Sequence, residues 1–307
     1  MKKDIIIMFA GLICRFERFG SESFWDNWQW QLDSFRIKEN SLKDGVLIET
    51  RKGGEGDYGE ESGLLVAKEQ MGFFKWEIFR LPDNATKWCC TRSSSGQRLL
   101  CLEVSEDWKV ITLLEDRTES AGNAAFSCLS IIIPGICLNY NLLTLHAALL
   151  EQEGSAIAIC AASGTGKTTH ARLWRDHKNA IILNGDRAVC GCSDGIWYAY
   201  GTPWSGSSGE QINRSAKLEA IVVLERAYEN KVYKIAPEKT FALVAPHIIY
   251  PFWDREMVEC AMKLSDDMLR NVPVYRLCCR PDEEAVDVLY KVIKESRNGD
   301  RKKMDII

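Results

Sequence analysis

Short apolar and aromatic runs, each closed by turn-forming residues, dominate the first 140 residues of the chain. Such runs predict β-strands, and the clusters of Gly, Pro, Asn, Asp and Ser between them predict turns. The polar turn Ser105-Glu106-Asp107 predicts that the strands on either side of it form a hairpin. The strand candidates are residues 5–14, 63–66, 76–79, 98–104 and 108–114. The pattern therefore predicts a β-rich N-terminal lobe over residues 1–140.

Near residue 124 the pattern changes to a long apolar stretch that continues through residue 150 and is interrupted at Pro134-Gly135, which is typical of a helix leading into a buried segment. Beyond it, apolar runs alternate with longer amphipathic segments, as in a sheet flanked by helices. Asp194-Gly195 predicts the turn of a β-hairpin between residues 188–192 and 196–200, which indicates a mixed α/β sheet. We therefore predict a second domain over residues 141–307. Its strands are expected at 156–160, 180–183, 218–224 and 274–278, and its helices at 167–177, 254–271 and 282–294.

Composition and charge narrow the class of protein. The apolar fraction of 46% and the charged fraction of 27% are typical of a folded globular chain. With 39 basic and 43 acidic residues, the chain gives no broad electrostatic reason to expect a nucleic-acid partner. The apolar run at residues 5–14 is too short to span a membrane and has no small-residue cleavage site after it. We expect a cytoplasmic protein with no membrane partner, whose twelve cysteines are reduced thiols packed as small apolar side chains.

The strongest motif follows the strand candidate Ala156 to Cys160. The sequence continues Ala161-Ala-Ser-Gly-Thr-Gly-Lys167-Thr-Thr169, which is the strand, small-residue loop and helix start of a Walker A phosphate loop. Small residues let backbone N–H groups converge on nucleotide phosphates, and the helix N-terminus adds unpaired donors. We predict that ATP binds here with Mg²⁺. The binding residues would be Ser163, Gly164, Thr165, Gly166, Lys167, Thr168 and Thr169.

Within this loop, Lys167 would neutralise the outer phosphates and the Thr168 hydroxyl would ligate Mg²⁺. Ala161 stands where the strict motif has its first glycine, and alanine can hold that turn only if its φ is negative.

Two further residues are candidates for the chemistry. Asp186 is the first carboxylate after the loop at the end of a strand, but Asn184-Gly185-Asp186 is also ordinary turn chemistry. His146 lies just before the strand that leads into the loop, but a histidine among leucines is typical of a core position. The residues alone leave both interpretations open.

Several of these motifs together resemble the HPr kinase/phosphorylase C-terminal domain, and in particular its smaller relatives, the HPr-kinase-like serine kinases often associated with peptide-modifying gene clusters. The resemblance covers about residues 141–295. It rests on His146-Ala147, the phosphate loop, and residues 169–174, 184–187 and 201–206. It implies an HPr kinase/PEP carboxykinase-like P-loop domain preceded by the β-rich lobe.

The resemblance also implies an activity. ATP would bind the loop, Thr168 and Asp186 would hold the metal, His146 would lie near the phosphates, and a serine hydroxyl would accept the γ-phosphate. HPr kinases carry two consecutive aspartates, of which the first acts on the serine proton, and here that position is Gly185. Either Asp186 takes both roles, or the base is Glu210 or His146. The glycine also argues against the reverse, phosphorylase reaction.

Three functions therefore stay open at this stage. The first is a kinase acting on serine in a protein or peptide, with the N-terminal lobe helping to present the acceptor. The second is a kinase for a small hydroxyl metabolite, and the third is a catalytically impaired ATP-binding regulatory protein. Homo-oligomerisation and the choice between ATP and GTP are not determined by these motifs.

Further positions have two interpretations each. Trp204, in the Gly- and Ser-rich segment 201–209, suits either a mobile closing loop or a buried loop anchor. Arg214 suits either a phosphate clamp or a solvated side chain. The tryptophans at 25, 28 and 30 favour core packing over a binding surface. Asp282 is predicted to cap the last helix.

Overall fold

The computed structural model describes residues 5–17, 28–38, 45–52, 63–71, 74–115 and 121–304. The chain divides into two compact units. The first comprises Met1–Tyr140 with Pro251–Val258, and the second comprises Asn141–Tyr250 with Glu259–Ile307.

The first unit contains an eight-stranded sheet with the order β1-β2-β3-β8-β7-β6-β5-β4. Neighbouring strands are antiparallel, except that β3 is parallel to both β2 and β8. The strands are β1 (Ile5–Phe9), β2 (Leu12–Glu17), β3 (Val46–Lys52), β4 (Leu64–Met71), β5 (Phe74–Arg80), β6 (Thr86–Arg92), β7 (Arg98–Val104) and β8 (Val110–Glu115). The helices of this unit are α1 (Gln29–Leu32) and α2 (Ala121–Asn139), with a 3₁₀ turn at Asp33–Phe35.

Alternation along the strands places one face of this sheet in the core. In β2, for example, Leu12, Cys14 and Phe16 are fully buried and the residues between them are half-buried. Trp28 is also fully buried and packs edge-on against Phe16, so its predicted core position is confirmed. Trp30 is exposed, and position 25 lies outside the described residues.

Two predictions for this unit are wrong in detail. The expected single strand over residues 5–14 is a hairpin of β1 and β2 that turns at Ala10-Gly11, where both residues have positive φ. The expected interruption at Pro134-Gly135 does not occur, because α2 continues through Pro134. A Cβ atom at Gly135 would lie 2.6 Å from Cη2 of the Trp108 ring and still closer to Cζ3, so this glycine allows close packing and does not end the helix. The predicted β7–β8 hairpin is confirmed.

The second unit contains a nine-stranded mixed sheet, as predicted, with helices packed on it. Its main order is β10-β9-β12-β13-β14-β17-β15, and β11 and β16 also pair with β9. The strands are β9 (Leu142–Gln152), β10 (Ser155–Cys160), β11 (Ile181–Asn184), β12 (Arg187–Ser193), β13 (Ile196–Tyr200), β14 (Ser215–Arg226), β15 (Lys231–Lys234), β16 (Ile248–Ile249) and β17 (Val274–Cys279). The helices are α3 (Lys167–Lys178), α4 (Pro237–Val244), α5 (Arg255–Asn271, in this unit from Glu259 onward) and α6 (Glu283–Met304), with 3₁₀ turns at Gly206–Ser208 and Ala245–His247.

Strand β9 organises this sheet because it pairs along both edges. Leu150 pairs with β10 on one side and with β11 on the other. On the β10 side, pairing ends where Cys160 meets Ala147. On the other side of β9, pairing passes from β11 to β12 near the same position of β9, because β12 begins to pair where Arg187 lies opposite His146. The segments after Cys160 and before Arg187 are therefore brought together across β9.

The remaining local predictions for this unit hold. The hairpin of β12 and β13 turns at Asp194-Gly195, whose positive φ values suit a tight two-residue turn. Asp282 caps α6, since its carboxylate accepts a hydrogen bond from the Ala285 amide at 3.1 Å. Among the residues that the structure describes, no helix is both long enough and apolar enough to cross a lipid bilayer.

Candidate nucleotide site

The glycine-rich segment forms a loop between β10 and α3. Gly164 and Gly166 have φ values of 74° and 118°, a region that favours glycine, and the Thr165 amide closes a turn on the Ala162 carbonyl at 3.1 Å. Ala161 is not among the residues with positive φ, so the alanine at the first motif position meets the condition stated above.

Helix α3 begins with an open N-terminus at this loop. Gly166 is its N-cap and provides no side-chain cap, and the first helical hydrogen bond runs from the His170 amide to the Gly166 carbonyl at 2.9 Å. The amides of Lys167, Thr168 and Thr169 precede that bond and have no helical acceptor. Donors and a positive dipole end arranged in this way favour an anion.

The three residues expected to carry the chemistry meet at one carboxylate. Asp186 Oδ1 lies 3.0 Å from His146 Nε2 and 3.4 Å from Lys167 Nζ, and Arg187 Nε lies 3.8 Å from Oδ2. His146 comes from β9, Lys167 from the start of α3, and Asp186 from the break between β11 and β12. The side chain of Lys167 is only 11% exposed, so its charge acts with little screening by water.

The electrostatics of this cluster lower the pKa of both partners, for different reasons. Burial raises the pKa of Asp186, but the hydrogen bond from His146 and the charges of Lys167 and Arg187 outweigh it, and the pKa lies well below its usual value. Burial lowers the pKa of Lys167, and the nearby Asp186 carboxylate opposes that shift. An ionised carboxylate held beside a lysine suits metal and phosphate binding better than proton abstraction.

Asn184 holds Asp186 in place, although the sequence suggested only a turn. Its side chain is fully buried, and its Oδ1 accepts hydrogen bonds from the amides of Asp186 at 2.8 Å and Arg187 at 2.7 Å. Its Nδ2 donates to the Thr202 carbonyl at 2.9 Å and to the Trp204 carbonyl at 3.3 Å. The signal in the sequence was the Asn-Gly-Asp run itself, because asparagine commonly bonds the backbone two residues on.

A serine-bearing loop packs on the same carboxylate. Gly206, with φ 60°, approaches so closely that a Cβ atom there would lie 2.9 Å from Asp186 Oδ2. A Cβ atom at Gly185 would overlap Ser208 Oγ and lie 2.5 Å from Ser208 Cβ. The space beside Gly185 is therefore filled by Ser208.

A second residue outside the predictions, Arg226, supports the phosphate loop. Its guanidinium donates to the Thr165 carbonyl at 3.1 Å and also to the Gly164 carbonyl. A cavity of about 330 Å³ adjoins the loop here, and it is lined by residues 162–165 and 224–226.

The structure also decides between the alternatives for two nearby residues. Trp204 is 1% exposed, so it is the buried loop anchor and not an exposed closing residue. Arg214 forms an ion pair with the buried Glu151, with 2.6 Å between Nη2 and Oε1, while 47% of its own side chain is exposed, which agrees with the solvated alternative.

Glu210, a candidate base, is engaged elsewhere. Its carboxylate pairs with Arg172 at 3.4 Å and with Arg175 at 3.0 Å, and its carbonyl accepts from the Gly185 amide at 3.0 Å. Of the candidate bases, His146 lies within hydrogen-bonding distance of Asp186 and Glu210 is tied to arginines of α3.

For a metal ion, the available ligands at this site are oxygen atoms. Thr168 lies half-buried in the first turn of α3, next to Lys167, and Asp186 is ionised at neutral pH. Hydroxyl and carboxylate oxygens with phosphate oxygens fit Mg²⁺, which takes few protein ligands when phosphates supply the rest. Within the described part of the chain, no group of three or more His, Cys, Asp or Glu side chains is arranged to hold a metal by itself.

Comparisons with known proteins add little. No protein-family model matches the sequence, and no curated protein does. Among solved structures, the chain is similar to the HPr(Ser) kinase/phosphatase from Coxiella burnetii, with 10% sequence identity and a TM-score of 0.30, over 53% of this chain and 98% of that one. A similarity of this size indicates at most a distant relationship of fold and carries no argument about activity.

Proposed function

We propose that the chain is an ATP-dependent kinase that transfers the γ-phosphate to a hydroxyl group, most simply that of a serine in a protein or peptide. The observation that carries the proposal is the meeting of Lys167 and Asp186, 3.4 Å apart, at the mouth of a glycine-rich loop that opens a helix. A cation, an ionised carboxylate and a set of open amides are what phosphoryl transfer needs, because its catalysis is mainly positioning and charge stabilisation.

The roles follow from the positions of the residues. The loop amides from Ser163 to Thr169 would bind the phosphates, with Lys167 against the outer ones. Thr168 and Asp186 would hold Mg²⁺, which when bound neutralises charge on the phosphate oxygens. His146 would fix the orientation of the Asp186 carboxylate through their 3.0 Å contact.

The nucleotide has room beside the loop. The 330 Å³ cavity between residues 162–165 and 224–226 is of the order needed for a small-ligand fragment, and we assign it to the part of the nucleotide beyond the phosphates.

A cavity in the first unit is a candidate binding site for a peptide. It measures about 1050 Å³, has Trp108 and Trp253 in its lining, and carries charges of both signs, including Arg80, Lys109 and Glu256. Mixed charge suits a peptide better than a polyanion.

A second candidate function rests on Gly185. In this alternative, the lack of a second carboxylate at this position prevents transfer. The chain then binds ATP and acts through that binding alone. An ATP-binding regulatory protein of this kind is the alternative to the kinase.

The test is incubation of the full chain with Mg²⁺ and γ-labelled ATP, with serine-containing peptides in one arm and small hydroxyl metabolites in the other. Label on a peptide supports the protein or peptide kinase, and label only on a small molecule supports a metabolite kinase. If the wild type binds ATP but yields no labelled product and no hydrolysis, the regulatory protein replaces both. Asp186→Asn is the control for site-specific transfer.

A further inference from the structure

We propose that Ser208 is a phosphorylation site of this protein. The phosphate group would come from ATP bound at the phosphate loop of the same chain. This proposal rests on the kinase function above, and it adds an acceptor that belongs to the chain itself. The feature that carries it is the loop around the 3₁₀ turn Gly206–Ser208, which the structure holds against Gly185 and Asp186.

The backbone of this loop is shaped for close approach. Gly206 and Gly209 flank Ser207 and Ser208. Their φ values are 60° and 66°, which residues with a side chain rarely adopt. As a result the main chain at Gly206 lies directly on the Asp186 carboxylate, where any side chain would collide with it. The loop thus lies directly next to the Asp186 carboxylate.

Among the loop serines, Ser208 is the one whose hydroxyl lies against Gly185. Ser205 is buried and donates to Gln211 Oε1 at 2.5 Å, whereas Ser208 is half-buried. Ser207 is exposed. The Ser208 oxygen fills the space in which a Cβ atom of Gly185 would stand, one residue from Asp186.

The hydrogen bonds of Ser208 leave its oxygen able to react. The hydroxyl donates to the Ser205 carbonyl at 2.7 Å and accepts from the Glu210 amide at 3.2 Å. A hydroxyl oxygen has two lone pairs, so one remains for attack. The Glu210 amide can still donate to the same oxygen after transfer.

The transfer step needs no reactant besides ATP and the Ser208 hydroxyl. A bond forms between Ser208 Oγ and the γ-phosphorus, and the bond from that phosphorus to the β,γ-bridging oxygen breaks, releasing ADP. The hydroxyl proton passes to water, and Asp186 keeps its charge for the metal. The new phosphate group does not fit against Gly185 in the observed packing, so the loop leaves Gly185 once it is modified.

The experiment uses the full chain with Mg²⁺ and γ-labelled ATP, without added acceptor, followed by peptide mapping. We expect label on the peptide containing Ser208 at a fractional rate that is independent of protein concentration, because the step is intramolecular. Ser208→Ala should abolish this label, whereas the matched variant Ser207→Ala should retain it. Lys167→Met should strongly reduce it by weakening nucleotide binding.

A fluorescent ATP analogue, titrated into each variant, separates the two proposals. If Ser208→Ala binds the analogue as the wild type does and loses the label, the inference stands. If the wild type binds the analogue and hydrolyses ATP or labels an added peptide while position 208 stays unmodified, the inference is wrong and the kinase stands. If the wild type does not bind the analogue, both are wrong.

Discussion

Replacing Asn184 by alanine tests how the site is held together. Asn184 is the single buried side chain that ties the amides of Asp186 and Arg187 to the carbonyls of Thr202 and Trp204. Alanine keeps the backbone and removes every one of these bonds. The turn that presents Asp186 would lose the hydrogen bonds that fix its backbone. The segment after β13 would lose the hydrogen bonds from Asn184 to its carbonyls.

The magnitude follows from the groups left without partners. The side chain makes two hydrogen bonds to its oxygen, and the two N–H groups of its nitrogen reach three acceptors, so one of them is shared; the residue is fully buried. Each buried polar group left unsatisfied costs about 1 to 3 kcal/mol, although water that enters the vacated space recovers part of it. We expect Asn184→Ala to lower the free energy of unfolding of the second unit by about 3 to 5 kcal/mol.

Urea denaturation followed by tryptophan fluorescence measures this change. The matched control is Asn271→Ala in the same unit, because Asn271 also uses its Nδ2 in two hydrogen bonds, to Asp267, but is exposed. The control should cost less than about 1 kcal/mol. If Asn184→Ala costs no more than Asn271→Ala, the account of how Asp186 is positioned is wrong.

Two further predictions concern the same turn. Gly185→Ala should destabilise the protein by about 1 to 3 kcal/mol through overlap with Ser208, and adding Ser208→Gly should recover much of that loss in a double-mutant cycle; purely additive costs would contradict the contact. Asp186→Asn should lower phosphoryl transfer about 1000-fold, while Glu210→Gln should lower it less than about 10-fold because its carboxylate is bound by two arginines. The reverse order in an ATP-consumption assay would make Glu210 the base.

Local signals in the sequence predicted the parts of the site that depend on neighbouring residues. The strand up to Cys160, the glycines at 164 and 166 and the helix from Lys167 are all specified within a dozen residues, and the structure has all of them. The hairpin at Asp194-Gly195 was predictable for the same reason, since its turn needs positive φ at two successive positions.

The parts that failed depend on contacts between distant segments. Pro134 is an ordinary helix-breaking signal, yet α2 continues through it in the buried core of the first unit. The approach of His146 to Asp186 follows from the register of β9 with β12, which pairs residues about forty positions apart in the chain. The burial of Asn184 and the position of Ser208 likewise depend on a loop that follows more than fifteen residues later.

The most direct test of the central claim is titration of a fluorescent ATP analogue, with Mg²⁺, into the wild type and Lys167→Met. Because Lys167 is a nearly buried cation at the loop, its loss should weaken binding by about 3 kcal/mol, or about 100-fold in Kd. Lys178→Met, at the other end of the same helix and paired with Asp287, is the matched control and should bind as the wild type does. Equal affinity in Lys167→Met and wild type would contradict a nucleotide site at this loop.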